Sequence, residues 1–206
     1  MMRIKLTNVG KRFNREWIFR QLDFEFHSQT SYAITGPNGS GKSTLLQIIA
    51  GATTFNQGVI EYFSEDKKIE EENIYKNISI AAPYLELVEE MTLIEFLQFH
   101  SGLKSWLPSF TSDKIISIIN LQDAAQKQIR YFSSGMKQRV KLAQAIFSDV
   151  PVVLLDEPCT NLDEEGIALY KDLINNYCSN RLVIVSSNDM QEYDFCEQRI
   201  DMRDLK

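Results

Sequence analysis

Residues 36–43 read Gly36-Pro37-Asn38-Gly39-Ser40-Gly41-Lys42-Ser43, which matches the pattern GxxxxGKS. The apolar segment Ser31–Thr35 comes directly before this stretch, and the helical run STLLQIIA follows it. Glycines allow a backbone to curl around phosphate oxygens, and the following helix adds the positive end of its dipole. We therefore predict a nucleoside triphosphate-binding loop that contacts the nucleotide along residues 36–43 and at Thr44. Lys42 is expected to bridge the β- and γ-phosphates, and the Ser43 hydroxyl to complete the shell of a Mg²⁺ ion.

A pair of acidic residues follows the apolar segment Val152–Leu155. The first, Asp156, ends this segment, and a carboxylate at the end of a buried strand can hold Mg²⁺ through water. The second, Glu157, can act as a general base by polarising the water that attacks the γ-phosphorus. We therefore predict that Asp156 binds the metal and that Glu157 is catalytic together with Lys42.

Short apolar, β-branched segments alternate with helical patterns, which predicts an α/β fold with a parallel sheet. The predicted strands are Arg3–Val9, Trp17–Phe26, Ser31–Thr35, Val59–Phe63, Ile78–Ala82, Val152–Leu155, Leu182–Ser186 and Arg199–Met202. The predicted helices are Lys42–Ala50, Thr92–Ser101, Asp113–Asn120, Met136–Phe147 and Glu164–Tyr177. Because residues 83–147 show no strand pattern, we expect a helical subdomain there, inserted into a nucleotide-binding core formed by residues 1–82 and 148–206.

Composition narrows the functional classes. The chain has 206 residues, which fits one domain with an insertion, and its formal net charge of −6 argues against a broad nucleic-acid-binding surface. No nucleic acid is therefore expected as a partner. The sequence has no run of about 18 apolar residues and no signal-peptide core at its start. Three cysteines without CxxC spacing and two isolated histidines argue against a disulfide framework, a zinc site or a serine–histidine triad. We expect a soluble, intracellular chain.

Residues 132–139, Phe-Ser-Ser-Gly-Met-Lys-Gln-Arg, resemble the LSGGQ signature of the nucleotide-binding subunits of ATP-binding cassette (ABC) proteins. With the loop at 36–43 and the two acidic residues, the resemblance covers nearly the whole chain. It implies a phosphate-loop NTPase core with a mixed sheet, flanking helices and antiparallel N-terminal strands. It also implies that Ser133, Ser134 and Gly135, at a helix N-terminus, close over the γ-phosphate bound by another ATPase subunit.

Two further segments carry the resemblance. Thr160-Asn161-Leu162-Asp163 is similar to the short loop that crosses the dimer interface in this family, so Asp163 is expected near the nucleotide. Phe13 matches the family's aromatic residue that stacks on adenine. Such a stack contributes about 1–3 kcal/mol.

The sequence departs from the family pattern at two positions. Pro83 or Tyr84 stands where the family places a glutamine that contacts Mg²⁺ and water, and neither residue reproduces its chemistry. Asn188 stands where the family places a histidine beside the γ-phosphate, so we assign Asn188 as the third catalytic residue. Asparagine can donate a hydrogen bond to a phosphate but never carries a positive charge. These departures predict slow hydrolysis with intact nucleotide binding.

The resemblance implies the cytoplasmic motor subunit of an ABC transporter, which binds ATP and Mg²⁺ and hydrolyses ATP as a dimer closes. Its expected partners are a membrane permease on a separate chain and a second ATPase subunit, in a homodimer or a heterodimer. The expected location is peripheral, on the inner face of the cell membrane. Two alternatives stay open: a soluble assembly ATPase like those of iron–sulfur scaffolds, and a nucleotide-gated switch that hydrolyses little.

Overall fold

The computed structural model describes residues 1–205. Strands β1 to β9 cover Met2–Phe13, Glu16–His27, Ser31–Thr35, Gln57–Ser64, Lys67–Lys68, Ile78–Ala81, Val152–Asp156, Leu182–Ser186 and Gln198–Asp201. Helices α1 to α6 cover Lys42–Ile49, Leu93–Leu103, Ser112–Ile118, Ser134–Phe147, Glu164–Tyr177 and Met190–Tyr193. Short 3₁₀ helices cover Glu71–Lys76, Gln122–Ala124, Ile129–Tyr131 and Met202–Leu205.

The strands form two sheets. The first has the order β2-β1-β4-β5, and its neighbouring strands pair in antiparallel fashion. The second has the order β6-β7-β8-β3-β9, in which β7 pairs with β8, and β3 with both β8 and β9, in parallel. Every residue of β7 and β8 is buried, as expected for central strands covered on both faces. The predicted α/β class with antiparallel N-terminal strands is confirmed.

The chain divides into two compact units. The core unit contains Met1–Ile80, Pro151–Glu157 and the described residues from Asn180 onward, and the helical unit contains Ala81–Val150 and Pro158–Ser179. Both sheets belong to the core unit, apart from the last residue of β6. Its hydrophobic core joins Phe19, Phe26, Tyr32, Leu45 and Ile184, all fully buried.

In the helical unit, α5 packs against α4. The boundaries expected from the sequence differ here, because they assigned residues 158–179 to the core. Tyr170, Leu173 and Ile174 on one face of α5 are buried. The rings of Phe147, at the end of α4, and Tyr177, at the end of α5, lie 4.9 Å apart. An amphipathic helix joins the unit against which its apolar face packs, and sequence periodicity does not identify that unit.

The predicted helices are present, and several of their termini differ from the predicted ones by one or two residues. The start of α4 is set by Ser133, whose side chain accepts a hydrogen bond from the Met136 amide at 3.2 Å. The start of α5 is set by Asp163, which accepts from the Gly166 amide at 2.8 Å. Both are N-caps, which satisfy amide groups that have no partner within the helix. Two of the segments carrying the family resemblance therefore lie at helix N-termini.

Candidate nucleotide site

The loop of residues 36–43 lies between β3 and α1, where the sequence predicted it. Its glycines are required by the backbone: Gly36 has φ of 141° and Gly41 has φ of 100°, a region that favours glycine. A Cβ on Gly41 would collide with the side chain of Ile18, and one on Gly36 would lie 2.8 Å from the Ser40 hydroxyl. The tight curvature of this loop therefore depends on residues without a side chain.

Lys42 is the first residue of α1 and is only 6% exposed. Its ammonium group donates hydrogen bonds to the carbonyl oxygens of Gly36 at 2.8 Å and Pro37 at 3.4 Å. The lysine thus folds back over its own loop, which places a positive charge at the centre of the curve. A phosphate oxygen, which carries a full negative charge, is a stronger acceptor than either carbonyl.

Asp156 and Glu157 follow each other at the end of β7 and have different environments. Asp156 is 1% exposed, and burial raises the pKa of its carboxyl group, although hydroxyl groups of Ser186 and Ser43 oppose this rise. Among residues 1–205, no group donates a hydrogen bond to its buried Oδ1 atom. A buried carboxylate oxygen without a partner, close to a serine hydroxyl, is the donor set that Mg²⁺ prefers. These residues therefore fit the predicted metal.

Glu157 is only partly buried and has φ of 43°, in the left-handed region that non-glycine residues rarely adopt. Its amide donates to the carbonyl oxygen of Ser186 at 2.9 Å, which extends the pairing of β7 with β8 by one residue. Strained residues of this kind persist only where the surrounding structure enforces them, and they cluster at functional sites.

A cavity of about 280 Å³ in the core unit gathers eight of the predicted site residues. It is lined by Phe13, Ile18, Asn38, Gly39, Gly41, Lys42, Ser43, Thr44 and Glu157. The structure therefore brings the loop, the expected base-stacking residue and the expected general base to one cavity, although they are far apart in the sequence. The Phe13 ring is 53% exposed and lies 4.8 Å from the Lys11 ammonium, so one of its faces is open to a ligand.

A larger cavity of about 690 Å³ lies in the same unit, between the end of α1 and β4. Among the described residues, those that line it belong to segments 48–62 and 68–74 and include none of the predicted site residues. The predicted residues Lys42, Ser43 and Glu157 line the smaller cavity instead.

Asn188, which follows β8, contacts the loop directly. The Gly36 amide donates to Asn188 Oδ1 at 3.2 Å, and Asn188 Nδ2 donates to Asn38 Oδ1 at 3.0 Å. The sequence predicted Asn188 beside the γ-phosphate but contained no signal that would pair it with Asn38.

The other predicted contacts lie in the helical unit. A cavity of about 490 Å³ is lined by Asn120, Leu121, Asp123, Ala124, Ser133, Ser134, Gly135, Met136, Arg139, Asn161, Leu162 and Asp163. The guanidinium of Arg139 lies 3.4 Å from Asp163, and the hydrogen bond from the Gly166 amide lowers the pKa of this aspartate most. The structure thus joins Ser133, Ser134, Gly135 and Asp163 around one open surface at the start of α4.

At Pro83, one of the two candidates for the position of the expected glutamine, the backbone carbonyl makes a polar contact. Lys141 of α4 donates to the carbonyl oxygens of Ala82 at 3.3 Å and Pro83 at 2.8 Å. Burial lowers the pKa of this lysine. Sequence reasoning missed Lys141, since a single lysine on a helix carries no motif.

A glycine-rich loop between a parallel strand and a helix, with an acidic pair at the end of another strand of the same sheet, defines a phosphate-loop nucleoside triphosphatase. Comparison with known proteins then identifies the family. The sequence profile described as ABC transporter matches residues 19–160. The chain therefore belongs to the ABC transporter family, and the predicted ABC ATPase subunit is confirmed.

Relatives in bacteria support this assignment. The uncharacterized ABC transporter ATP-binding protein YybJ of Bacillus subtilis is 29% identical over 207 residues, covering 97% of this chain and 92% of that protein. The cytochrome c biogenesis ATP-binding export protein CcmA of Xylella fastidiosa strain 9a5c is 33% identical over 157 residues, covering 76% of this chain and 70% of that protein.

Solved structures show the same fold. A dimeric post-hydrolysis state of an ATP-binding cassette, bound to ADP and Pi, has a TM-score of 0.80 at 22% identity. The alignment covers 96% of this chain and 93% of that one. An ABC transporter ATP-binding protein from Pyrococcus furiosus has a TM-score of 0.80 at 17% identity, covering 99% of both chains. Among the described residues, no helix combines the length and apolar character that a membrane span requires.

Proposed function

We propose that this chain is the motor subunit of an ABC transporter, which drives a separate membrane permease by ATP-dependent closure of a dimer of ATPase subunits. One observation carries the proposal: the 280 Å³ cavity joins Lys42, Ser43 and Glu157 with the exposed ring of Phe13. The phosphates, the metal ion and the adenine ring of ATP would each meet a group of matching chemistry in this cavity. The homologous export protein CcmA, named for an ATP-binding role in export, supports the transport assignment.

In this proposal each polar residue has one task. Lys42 exchanges its bonds to the loop carbonyls for the β- and γ-phosphates. Asp156 and Ser43 hold Mg²⁺, which when bound neutralises charge on the phosphates. Glu157 accepts a proton from the attacking water. Asn188 donates a hydrogen bond from Nδ2 to a γ-phosphate oxygen, as the direction of its other bonds allows.

The 490 Å³ cavity at the start of α4 supports the closure of a dimer. The start of α4 presents Ser133, Ser134 and Gly135 around an open surface, in a unit that contains none of the described residues of the phosphate loop. A helix N-terminus attracts anions, so this surface suits the γ-phosphate held by another subunit. The Glu157→Gln variant with saturating Mg²⁺-ATP should be a dimer in light scattering, and Glu72→Gln, at an exposed glutamate, a monomer. A monomeric Glu157→Gln protein would contradict the closure step.

The partner permease would dock on the helical unit. Phe99 and Leu103 lie one turn apart on α2, with 50% and 68% of their surfaces exposed. Exposed apolar side chains at this spacing suit a contact with a helix of a membrane protein. Docked in this way, the subunit would lie on the inner face of the cell membrane. Recovery of the native protein in the cytosolic fraction with a soluble partner would favour the assembly-ATPase alternative instead.

The direct test of nucleotide binding is Lys42→Ala. The variant should lose measurable Mg²⁺-ATP binding in calorimetry, because no other cation lines the 280 Å³ cavity among the described residues. Lys127→Ala, at an exposed lysine of the helical unit, is the matched control and should bind normally. Equal affinities of wild type and Lys42→Ala would refute the assignment of this loop.

A nucleotide-gated switch with slow hydrolysis is the second candidate, and Asn188 favours it. This side chain lacks the charge that a histidine can carry. A charge-assisted hydrogen bond is worth about 1.5–3 kcal/mol, which corresponds to roughly 10- to 150-fold in rate. Asn188→His should therefore speed single-turnover hydrolysis with little change in ATP affinity. If the histidine variant is no faster than wild type, Asn188 does not limit the reaction.

A further inference from the structure

Two asparagines that are 150 positions apart in the sequence meet at the mouth of the phosphate loop. Asn188 Nδ2 donates to Asn38 Oδ1 at 3.0 Å, and Asn188 Oδ1 accepts from the Gly36 amide at 3.2 Å. Asn38 also lines the cavity in which we place the nucleotide, whereas Gly36 begins the loop. The carboxamide of Asn188 is therefore held at both ends by one loop.

The chemistry of the partners sets the orientation of both amide groups. A backbone N–H can only donate, so the atom of Asn188 that faces Gly36 must be its carbonyl oxygen. The NH₂ group of Asn188 then faces Asn38, and because this group can only donate, Asn38 must present its oxygen. Reversing either side chain would place two donors or two acceptors together. The two hydrogen bonds thus fix the orientation of the Asn188 carboxamide and leave one N–H of its NH₂ group to donate to a ligand.

We infer that Asn38 is a positioning residue for hydrolysis, which acts by holding the NH₂ group of Asn188 towards the γ-phosphate. This inference rests on the proposed function. An asparagine side chain is short and uncharged, so its contribution to the reaction depends on orientation more than that of a charged group does. Both asparagines are exposed, so without Asn38 only the bond from the Gly36 amide holds the carboxamide of Asn188, and its NH₂ group has no partner in the described structure.

Two other roles for Asn38 make different predictions. If Asn38 only shapes the loop, its removal weakens ATP binding whether or not Asn188 is present. If Asn38 contacts the phosphate by itself, its removal slows hydrolysis by the same factor in both backgrounds. Only a residue that acts through Asn188 loses its effect when Asn188 is gone.

The test is a double-mutant cycle of Asn38→Ala, Asn188→Ala and the double variant. Single-turnover hydrolysis of Mg²⁺-ATP and ATP affinity by calorimetry are measured for each protein. Asn38→Ala should slow hydrolysis about 3- to 10-fold, the range for loss of one neutral hydrogen bond, with ATP affinity within about twofold of wild type. In the Asn188→Ala background, the same change should have no further effect. Asn176→Ala, at an exposed asparagine of α5, is the matched control and should match wild type.

An equal slowing in both backgrounds, an unchanged rate, or a large loss of ATP affinity in Asn38→Ala would each overturn the inference. The free energies of urea unfolding of the same proteins without nucleotide report the hydrogen bond between Asn38 and Asn188 itself. Additive effects of the two substitutions on these free energies would contradict that hydrogen bond. A wild-type protein that hydrolyses no ATP would refute the proposed function and the inference with it. Hydrolysis that depends on Lys42 but shows no coupling between positions 38 and 188 would refute the inference alone.

Discussion

Backbone strain at Glu157 predicts an unusual order of stability for two variants at this position. Replacing this residue with glycine should stabilise the free protein relative to replacement with alanine, although glycine is normally the more destabilising residue. The reason is the φ of 43° at this position. A left-handed conformation costs a residue with a Cβ about 1–2 kcal/mol, whereas glycine adopts it freely.

The magnitude follows from two opposing terms. Glycine avoids the left-handed cost but loses more chain entropy on folding, by about 0.5–1 kcal/mol relative to alanine. We therefore expect Glu157→Gly to exceed Glu157→Ala in free energy of unfolding by up to about 1.5 kcal/mol, with about 0.75 kcal/mol as the midpoint. Both variants lack the carboxylate, so its electrostatic contribution cancels in the comparison. Neither should hydrolyse ATP at a significant rate, because both lack the proposed base.

The assay is urea unfolding of both variants without nucleotide, with a matched pair at Asp172. This exposed residue lies inside α5, where glycine should be less stable than alanine by about 1 kcal/mol. The order of the two variants should therefore reverse between the sites. If alanine is as stable as glycine at position 157, the strain argument fails, and the left-handed backbone is not imposed on the free protein.

Two further predictions concern buried titratable groups. Because burial raises the pKa of Asp156, the ionised form destabilises the fold above that pKa, and Asp156→Asn should stabilise the free protein at pH 7. The gain should shrink as the pH falls through the raised pKa, and the variant should lose Mg²⁺-dependent ATP binding; a gain that grows on acidification would contradict the assignment. Burial, with a smaller effect from Lys104, lowers the pKa of His100 from its ordinary 6.5 to about 4, so the neutral form is the one that the fold accepts. The free energy of unfolding of the wild type should therefore fall by up to about 3 kcal/mol as the pH falls from 6.5 to 4. His100→Phe, which keeps the stack on Trp106, should lose less over this range in urea unfolding. Equal losses in both proteins would show that His100 does not cause this pH dependence.

The parts of the site that could be predicted are those with a local pattern. The loop at 36–43 is contiguous, and each of its residue types has a direct physical reason. Asp156 was predictable because a run of buried, apolar residues ends at it. Ser133 and Asp163 lie at helix N-termini, where such residues are favoured. In each case, the information lies within a few residues along the chain.

Contacts between distant segments could not be predicted in this way. The pairing of Asn188 with Asn38 depends on how β8 lies beside β3, and the bond from Lys141 to Pro83 depends on how α4 packs within the helical unit. The assignment of residues 158–179 to the core failed to match the structure for the same reason, because α5 packs against α4. Periodicity identifies the buried face of a helix but not the surface that covers it.

The two positions at which the sequence departs from its family have a common physical consequence. At position 188 a neutral amide takes the place of a ring that can be charged, and its hydrogen bonds to Gly36 and Asn38 set its direction. At Pro83, one of the two candidates for the second position, the only polar group is the backbone carbonyl, which Lys141 binds. In both places the side chain supplies no charge of its own, so its effect depends on the neighbours that hold it. We therefore expect the rate of this ATPase to respond to changes at Asn38, which occupies a variable position of the phosphate-loop pattern, and at Lys141, which lies outside the family motifs.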